Sequence, residues 1–229
     1  GLFVMVISLL TGLSMYYSCR HISKSRYAGL CAMAMYVLCQ YRLHNLYTRM
    51  AVGEYLAFIF APLVICGLYN LFYEGFDNPF WLILGFWGLM YTHTISLAIF
   101  GILAVIASLC HIKVFVKNPR LLLKVLLAAV ITLLASASVW VPILEQMFTG
   151  GEFQVKYPWT HVSDNMVGFN NIISYKGLGV GIALLLAYSL RLFIRRRRNT
   201  LLPVRVADHY LVAAAILMVM ASQFFPWKW

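Results

Sequence analysis

Apolar and polar residues alternate along this chain in long blocks. Apolar runs cover residues 2–18, 27–40, 55–72, 80–97 and 98–115. A sixth ends at Trp140 and Pro142, and two more cover 177–194 and 210–225. Several approach the ~20 residues that carry an α-helix across a hydrocarbon core, so the pattern predicts about eight transmembrane helices. The strict alternation of the ~10-residue strands of a membrane barrel is absent. The expected fold is all-α, a polytopic transmembrane helical bundle forming a single domain over 1–229. Pro62 lies inside the third run, where it removes a backbone hydrogen bond and predicts a kink. YEGFDNP at 73–79 reads as a turn, and 145–176 as one long polar outer loop with room for short interfacial helices.

Composition strengthens the membrane reading. The chain is 62% hydrophobic and only 11% charged, with mean hydropathy +0.82, whereas soluble domains carry roughly twice that charge fraction. A net charge of +11 would ordinarily raise nucleic acid as a partner. Here the positive charge gathers in short loops between apolar runs, which is the form of a topology signal, and no nucleic-acid partner is expected. If the loops alternate sides, one side holds Arg20, Lys24, Arg26, Lys113, Lys117, Arg120, Lys124, Arg191, Arg195 to Arg198 and Arg205. The other holds Arg42, Arg49, Lys156, Lys176 and Lys228. The first side is therefore cytoplasmic by the positive-inside rule, and both ends of the chain face outward. Gly1 is no initiator methionine and no basic region precedes the first run, so the sequence reads as a piece of a longer chain. A preceding helix with the first outer loop, and any C-terminal outer domain, are expected to lie outside it. The five cysteines sit in or beside apolar runs with neither CxxC pairs nor His partners at metal spacing, and read as small apolar fillers.

Against this background the stretch YRLHNLYTRMAVGEYLAFIFAP, 41–62, stands out, because it sets Arg42, His44, Arg49 and Glu54 between two apolar runs. Ionisable groups at a membrane boundary are costly, so such a cluster raises a functional question. The alternating topology places Arg49, Glu54, His93 and Glu145 at one outer level. His93 is expected about four residues below the outer end of the fourth helix, roughly 6 Å at 1.5 Å per residue. His21 and His111 fall on the opposite side. An arginine at a membrane surface suits bidentate binding of phosphate. A carboxylate there can pair with it, hold a metal or act on a proton, and a His flanked by Thr hydroxyls can bond a head group. Each residue also has a plainer reading. Arg42 is equally a snorkelling interfacial cation, Arg49 and Glu54 a structural ion pair, His93 a tie to a neighbouring helix, and Glu145 a helix end. The RRRR tract, 195–198, reads as a topology anchor against anionic lipid, and Tyr157, Trp159 and Phe169 as belt aromatics or sugar-stacking platforms. There is no phosphate-binding glycine loop, no HExxH and no GxSxG. No acidic pair sits in an outer loop, since Asp164 stands alone and Asp77 is on the cytoplasmic side.

The run from Tyr41 to Leu71, followed by WLILGFWGLMYTHTISLAIFGILAVI, resembles the YfhO-like bacterial membrane proteins, also known as 6-pyruvoyl-tetrahydropterin synthase-related membrane proteins. The resemblance is carried by Arg42, Tyr47, Arg49, Gly53, Glu54, Pro62, His93 and Ser96, with Thr92 where Ser commonly precedes the His, and WVPILEQ at 140–146 resembles that family's next landmark. It spans roughly residues 1–150 and implies a GT-C-like fold in a bacterial cytoplasmic (inner) membrane. It further implies an inverting glycosyltransferase that moves a sugar from a polyprenyl-phosphate donor to an acceptor on the outer face. Under that implication Arg42, Arg49, Glu54, His93 and Glu145 form the substrate-binding side. The catalytic acid, expected in a first outer loop, would precede Gly1. No metal ligands are assigned in the chain; a divalent metal stays open as a cofactor. Membrane lipid is the expected surrounding partner. The rival functions are a transporter or flippase of a lipid-linked or anionic solute, and a non-catalytic membrane scaffold subunit.

Overall fold

The structure, a computed structural model, describes residues 1–149, which lie in the first of two compact units, Gly1–Phe153 and Gln154–Trp229. The runs at 177–194 and 210–225, the loop beyond 149, the RRRR tract, Tyr157, Trp159, Asp164 and Phe169 lie outside the described residues. All regular structure among the described residues is helical: α1 Leu2–Ser23, α2 Arg26–Val37, α3 Gln40–Tyr47, α4 Val52–Tyr73, α5 Phe80–Thr92, α6 Thr94–Cys110, α7 Ile112–Lys117, α8 Pro119–Ala135 and α9 Ala137–Thr149. Two of these, α1 and α4, are long and apolar enough to cross a membrane, and α8 with α9 makes a third span if a pair bent by 72° is one crossing.

Local chemistry explains the breaks. Lys24 ends α1 in the left-handed region, φ 56°. Ser25 then caps α2, its hydroxyl accepting from the Ala28 amide at 3.3 Å. Pro119 opens α8 at a position where its missing N–H costs nothing. The sixth apolar run, expected as one helix, breaks at Ser136. The Ser136 hydroxyl turns back to donate to the Thr132 carbonyl at 2.7 Å. Trp87 Nε1 donates to the Ala135 carbonyl at 3.2 Å, and Trp140 Nε1 to that of Leu133 at 2.9 Å. Side-chain donors thus add to the bonds made by the carbonyls around the bend, Leu133 also accepting from the Ser136 amide and Ala135 from the Tyr91 hydroxyl.

The core is built on α4. Two thirds of its apolar window (67%) is buried, against 22% for α1, so α4 is the central helix and α1 a peripheral one. Tyr55, Val64, Leu68, Tyr69 and Leu71 are essentially inaccessible. α4 packs against α1 and α5, with α3 and α6 touching it more lightly. The α4–α5 approach is close enough to need a glycine. A Cβ on Gly85 would stand 2.8 Å from the Val64 amide nitrogen, so backbone meets backbone there, a recurrent feature of helix pairs in membranes.

Pro62 lies within α4, which continues unbroken through it. Without an N–H at 62, the Phe58 carbonyl four residues earlier has no helical partner. The Tyr36 hydroxyl from α2 donates to it at 3.1 Å, and one residue on Ser14 from α1 donates to the Ile59 carbonyl at 2.6 Å. The proline therefore costs less than an isolated helix would suggest.

Candidate functional site

The reversal between α3 and α4 sets the site. The Arg49 and Ala51 amides bond back to the carbonyls of His44 and Asn45, both within 3.0 Å. Met50 adopts φ 51°, a conformation that costs a non-glycine residue roughly 1 kcal/mol. This tight turn folds α3 over the first turn of α4, so Tyr41, Asn45, Arg49 and Glu54 converge although they span three segments of local chain.

Glu54 is the hub. Its Oε2 accepts from the Tyr41 hydroxyl at 2.7 Å, from Asn45 Nδ2 at 2.8 Å and from Arg49 Nη1 at 3.1 Å. Its side chain is 14% exposed, that of Arg49 46%. Arg49 spends Nη1 on Asn45 Oδ1 at 3.1 Å and on the Tyr41 oxygen at 3.5 Å as well. Its Nη2 and Nε make no hydrogen bond among the described residues. Partial burial, and then the bond to Glu54, raise the Tyr41 phenol above its ordinary pKa, so it remains a donor. The facing carboxylate pushes the Arg49 pKa further up.

His93 enters from the other side, and the structure corrects its expected place. The helix of the fourth run ends at Thr92 and not at residue 97; His93 is itself the break, extended at φ −158°, ψ 111°, closing α5 and capping α6. The reason is local. Nδ1 accepts from the Ser96 amide at 3.2 Å and lies 2.9 Å from the Ser96 hydroxyl, so the imidazole acts as an N-cap for the next helix. An accepting Nδ1 leaves the proton on Nε2, and Nε2 faces Glu54 Oε1 at 3.8 Å. That gap exceeds hydrogen-bond length, which leaves an N–H and a carboxylate oxygen both directed at the space between them. Gly53 makes the approach possible: a Cβ there would stand 2.6 Å from the Thr92 carbonyl oxygen.

A cavity of about 350 Å³ opens beside this pair. Tyr41, Glu54, His93 and Ser96 make its polar end, and Phe58, Ala61, Ile99 and Phe100 its apolar body. That is within the size range of small-ligand pockets.

The remaining sequence-selected residues lie elsewhere. Arg42 is neither exposed nor snorkelling. It is 1% exposed, with Nη2 on the Tyr55 hydroxyl at 2.6 Å and Ser8 Oγ at 3.0 Å, and Nη1 on the Val37 carbonyl at 2.9 Å. Its guanidinium also lies over the Tyr55 ring, 4.4 Å from the centroid. Arg42 thus ties α3 to α1, α2 and α4. Glu145 is exposed on α9, does not line the cavity, and its carboxylate makes no hydrogen bond or ion pair among the described residues. His21 and His111 sit beyond the other end of α4, beside Glu74 and Tyr73. The sequence reading missed Tyr41 and Asn45 as partners of Glu54. The signal was there, since Tyr41, Asn45 and Arg49 follow one another at four-residue spacing. No group of three His, Cys, Asp or Glu able to hold a metal occurs among the described residues. No protein-family model matches the chain, and no curated protein or solved structure matches it either.

Proposed function

We propose that the chain is the membrane core of a GT-C-like glycosyltransferase. It would transfer a sugar from a polyprenyl-phosphate donor to an acceptor on the outer face of a bacterial cytoplasmic membrane, as the resemblance to the YfhO-like proteins implies. The observation that carries the reading is the shape and chemistry of the Glu54–His93 cavity. It joins directed polar groups to an apolar body on a helix able to span a membrane, as an amphiphilic lipid phosphate requires. Arg49 does not itself line the cavity but is bonded to Glu54 and Tyr41, which do; with two guanidinium nitrogens uncommitted among the described residues, it binds the phosphate at the cavity's mouth. Glu54 holds Arg49 in place, and His93 Nε2–H donates to an oxygen of the phosphate or sugar. Arg42 positions the α3–α4 turn from beneath; it does not touch the donor. Glu145 has no role in this pocket.

The test is transfer of labelled sugar from polyprenyl-phosphate donors by the purified full-length protein, with Arg49→Ala and His93→Ala alongside. Removing one charged or hydrogen-bonding group from a pre-organised site lowers turnover by about a hundredfold or more, and that loss is expected for each variant. Undiminished transfer by Arg49→Ala overturns the assignment. A second reading, a carrier of lipid-linked or anionic solutes, draws on the 72° break between α8 and α9, since carriers use broken helices. It becomes the better reading if no donor supports turnover.

A further inference from the structure

A second cavity, of about 450 Å³, lies at the far end of α4, roughly 30 Å from Glu54 at 1.5 Å per residue. It is lined by Arg20, His21 and Lys24 from the end of α1, with Tyr17 and Ser18 one turn earlier and Trp81 from the start of α5. The charges do not balance. Glu74 takes His21 Nε2 at 2.7 Å on one oxygen and Lys24 Nζ at 3.1 Å on the other. Arg20 has no such partner; its guanidinium makes no hydrogen bond or ion pair among the described residues, and it lies over the Tyr16 ring at 6.0 Å from the centroid. With Glu74 offsetting Lys24, the cavity keeps one uncompensated positive charge.

The hydrogen-bonding groups are lopsided in the same sense. Trp81 and Tyr17 also line the space, and the Trp81 indole N–H and the Tyr17 hydroxyl find no acceptor among the described residues. The apolar surroundings point to a lipid source for the missing acceptor. Leu10, Leu13 and Tyr17, at i, i+3 and i+7, are exposed along one stripe of α1 that leads to the cavity. Among the described residues, α1 is one of two single helices long and apolar enough to span a membrane.

We propose that this cavity holds the phosphate group of a singly charged anionic lipid, with its acyl chains along the Leu10–Leu13–Tyr17 stripe. Arg20 supplies the matching charge, and Trp81 and Tyr17 the flanking donors. Basic pockets between transmembrane helices bind lipid head groups in this manner. The proposal is independent of the sugar-transfer reading, which concerns the opposite end of α4.

Native mass spectrometry of the delipidated protein with phosphatidylglycerol, phosphatidylcholine and inorganic phosphate tests it. Phosphatidylglycerol is expected to bind wild type about five- to tenfold more tightly than it binds Arg20→Gln. Lys117→Gln, on exposed α7, should bind it as wild type does. Trp81→Phe, which keeps a ring but removes the donor, should weaken binding about threefold, and gives a second reading if Arg20→Gln fails to fold. Equal affinity of wild type for phosphatidylcholine, or undiminished phosphatidylglycerol binding in folded Arg20→Gln or Trp81→Phe, overturns the site. Displacement of the lipid by millimolar inorganic phosphate assigns it to free phosphate and overturns the lipid occupant.

Discussion

At its first turn α4 presents Glu54, and just beyond its last turn Glu74; each carboxylate is met by a cation and faced by a histidine. The sources of those partners differ. Tyr41, Asn45 and Arg49 reach Glu54 from within 13 residues of chain, and His93 comes from afar. Both partners of Glu74, His21 and Lys24, come from about 50 residues away and lock the end of α1 to the end of α4. At the Glu54 end both Glu54 Oε1 and His93 Nε2 face an open gap, whereas at the Glu74 end both carboxylate oxygens are occupied and the unsatisfied group is a cation. A local constellation leaves directed groups for a ligand; a long-range one closes the bundle and displaces the unmet charge onto Arg20. The same residue types thus leave a carboxylate oxygen and an imidazole N–H facing a gap at one end, and a guanidinium with no carboxylate partner among the described residues at the other.

The comparison breaks most readily at Gly53. Gly53→Ala forces a methyl into the Thr92 carbonyl, and overpacking of this kind typically costs about 1–3 kcal/mol. The melting temperature should fall, and sugar transfer should fall with it, while phosphatidylglycerol binding at the far end survives in the folded fraction. Joint loss of both activities in folded protein would show that the ends are not separable. Glu54→Gln sharpens the contrast with less damage. It keeps an acceptor for Tyr41 and Asn45 but removes the charge facing Arg49, at about 1 kcal/mol, and transfer should decline far more than thermal stability. A drop confined to stability would recast Glu54 as a structural anchor.

The smallest effect concerns acid. Burial alone would raise the Glu74 pKa, but the hydrogen bonds from His21 and Lys24 hold it below the ordinary carboxylate value. A carboxyl lowered in the folded state contributes stability that is complete above the unfolded pKa and is lost as pH falls through the folded one. Melting temperatures taken from neutral pH down to about pH 3 should therefore fall less steeply in Glu74→Gln than in wild type. For a pair this exposed the difference amounts to no more than about 1 kcal/mol. Parallel profiles would mean that the clasp contributes nothing to folding.

Much of the bundle could be read from the runs. The third run, 55–72, lies wholly within α4, and the turn expected at 73–79 falls between the end of α4 at Tyr73 and the start of α5 at Phe80. Breaks inside apolar sequence were harder to see, because hydropathy does not register a side chain turning back on its own backbone. That is what His93 does for α6 and Ser136 for the end of α8. Counting crossings put Arg49, Glu54, His93 and Glu145 at one level; the first three meet and Glu145 does not, and the open 3.8 Å approach depends on Gly53 and on a histidine tautomer, neither of which hydropathy records. Arg42 was illegible for a different reason. Its burial rests on Ser8, 34 residues away, and on the Tyr55 ring, and polarity alone places an arginine outside. His21 falls at the opposite end from Glu54, which is where its partner Glu74 lies.

The proline in α4 bears on the order in which the chain is made. The carbonyls of Phe58 and Ile59 take hydroxyl donors from Tyr36 and Ser14, both on helices that precede α4. A segment carrying a stranded carbonyl enters hydrocarbon at a penalty of several kcal/mol. When α4 is synthesised, α1 and α2 have already been produced, so its acceptors arrive after their donors. Reversing that order, by permuting α4 ahead of α1, would require the helix to insert with its defect uncorrected.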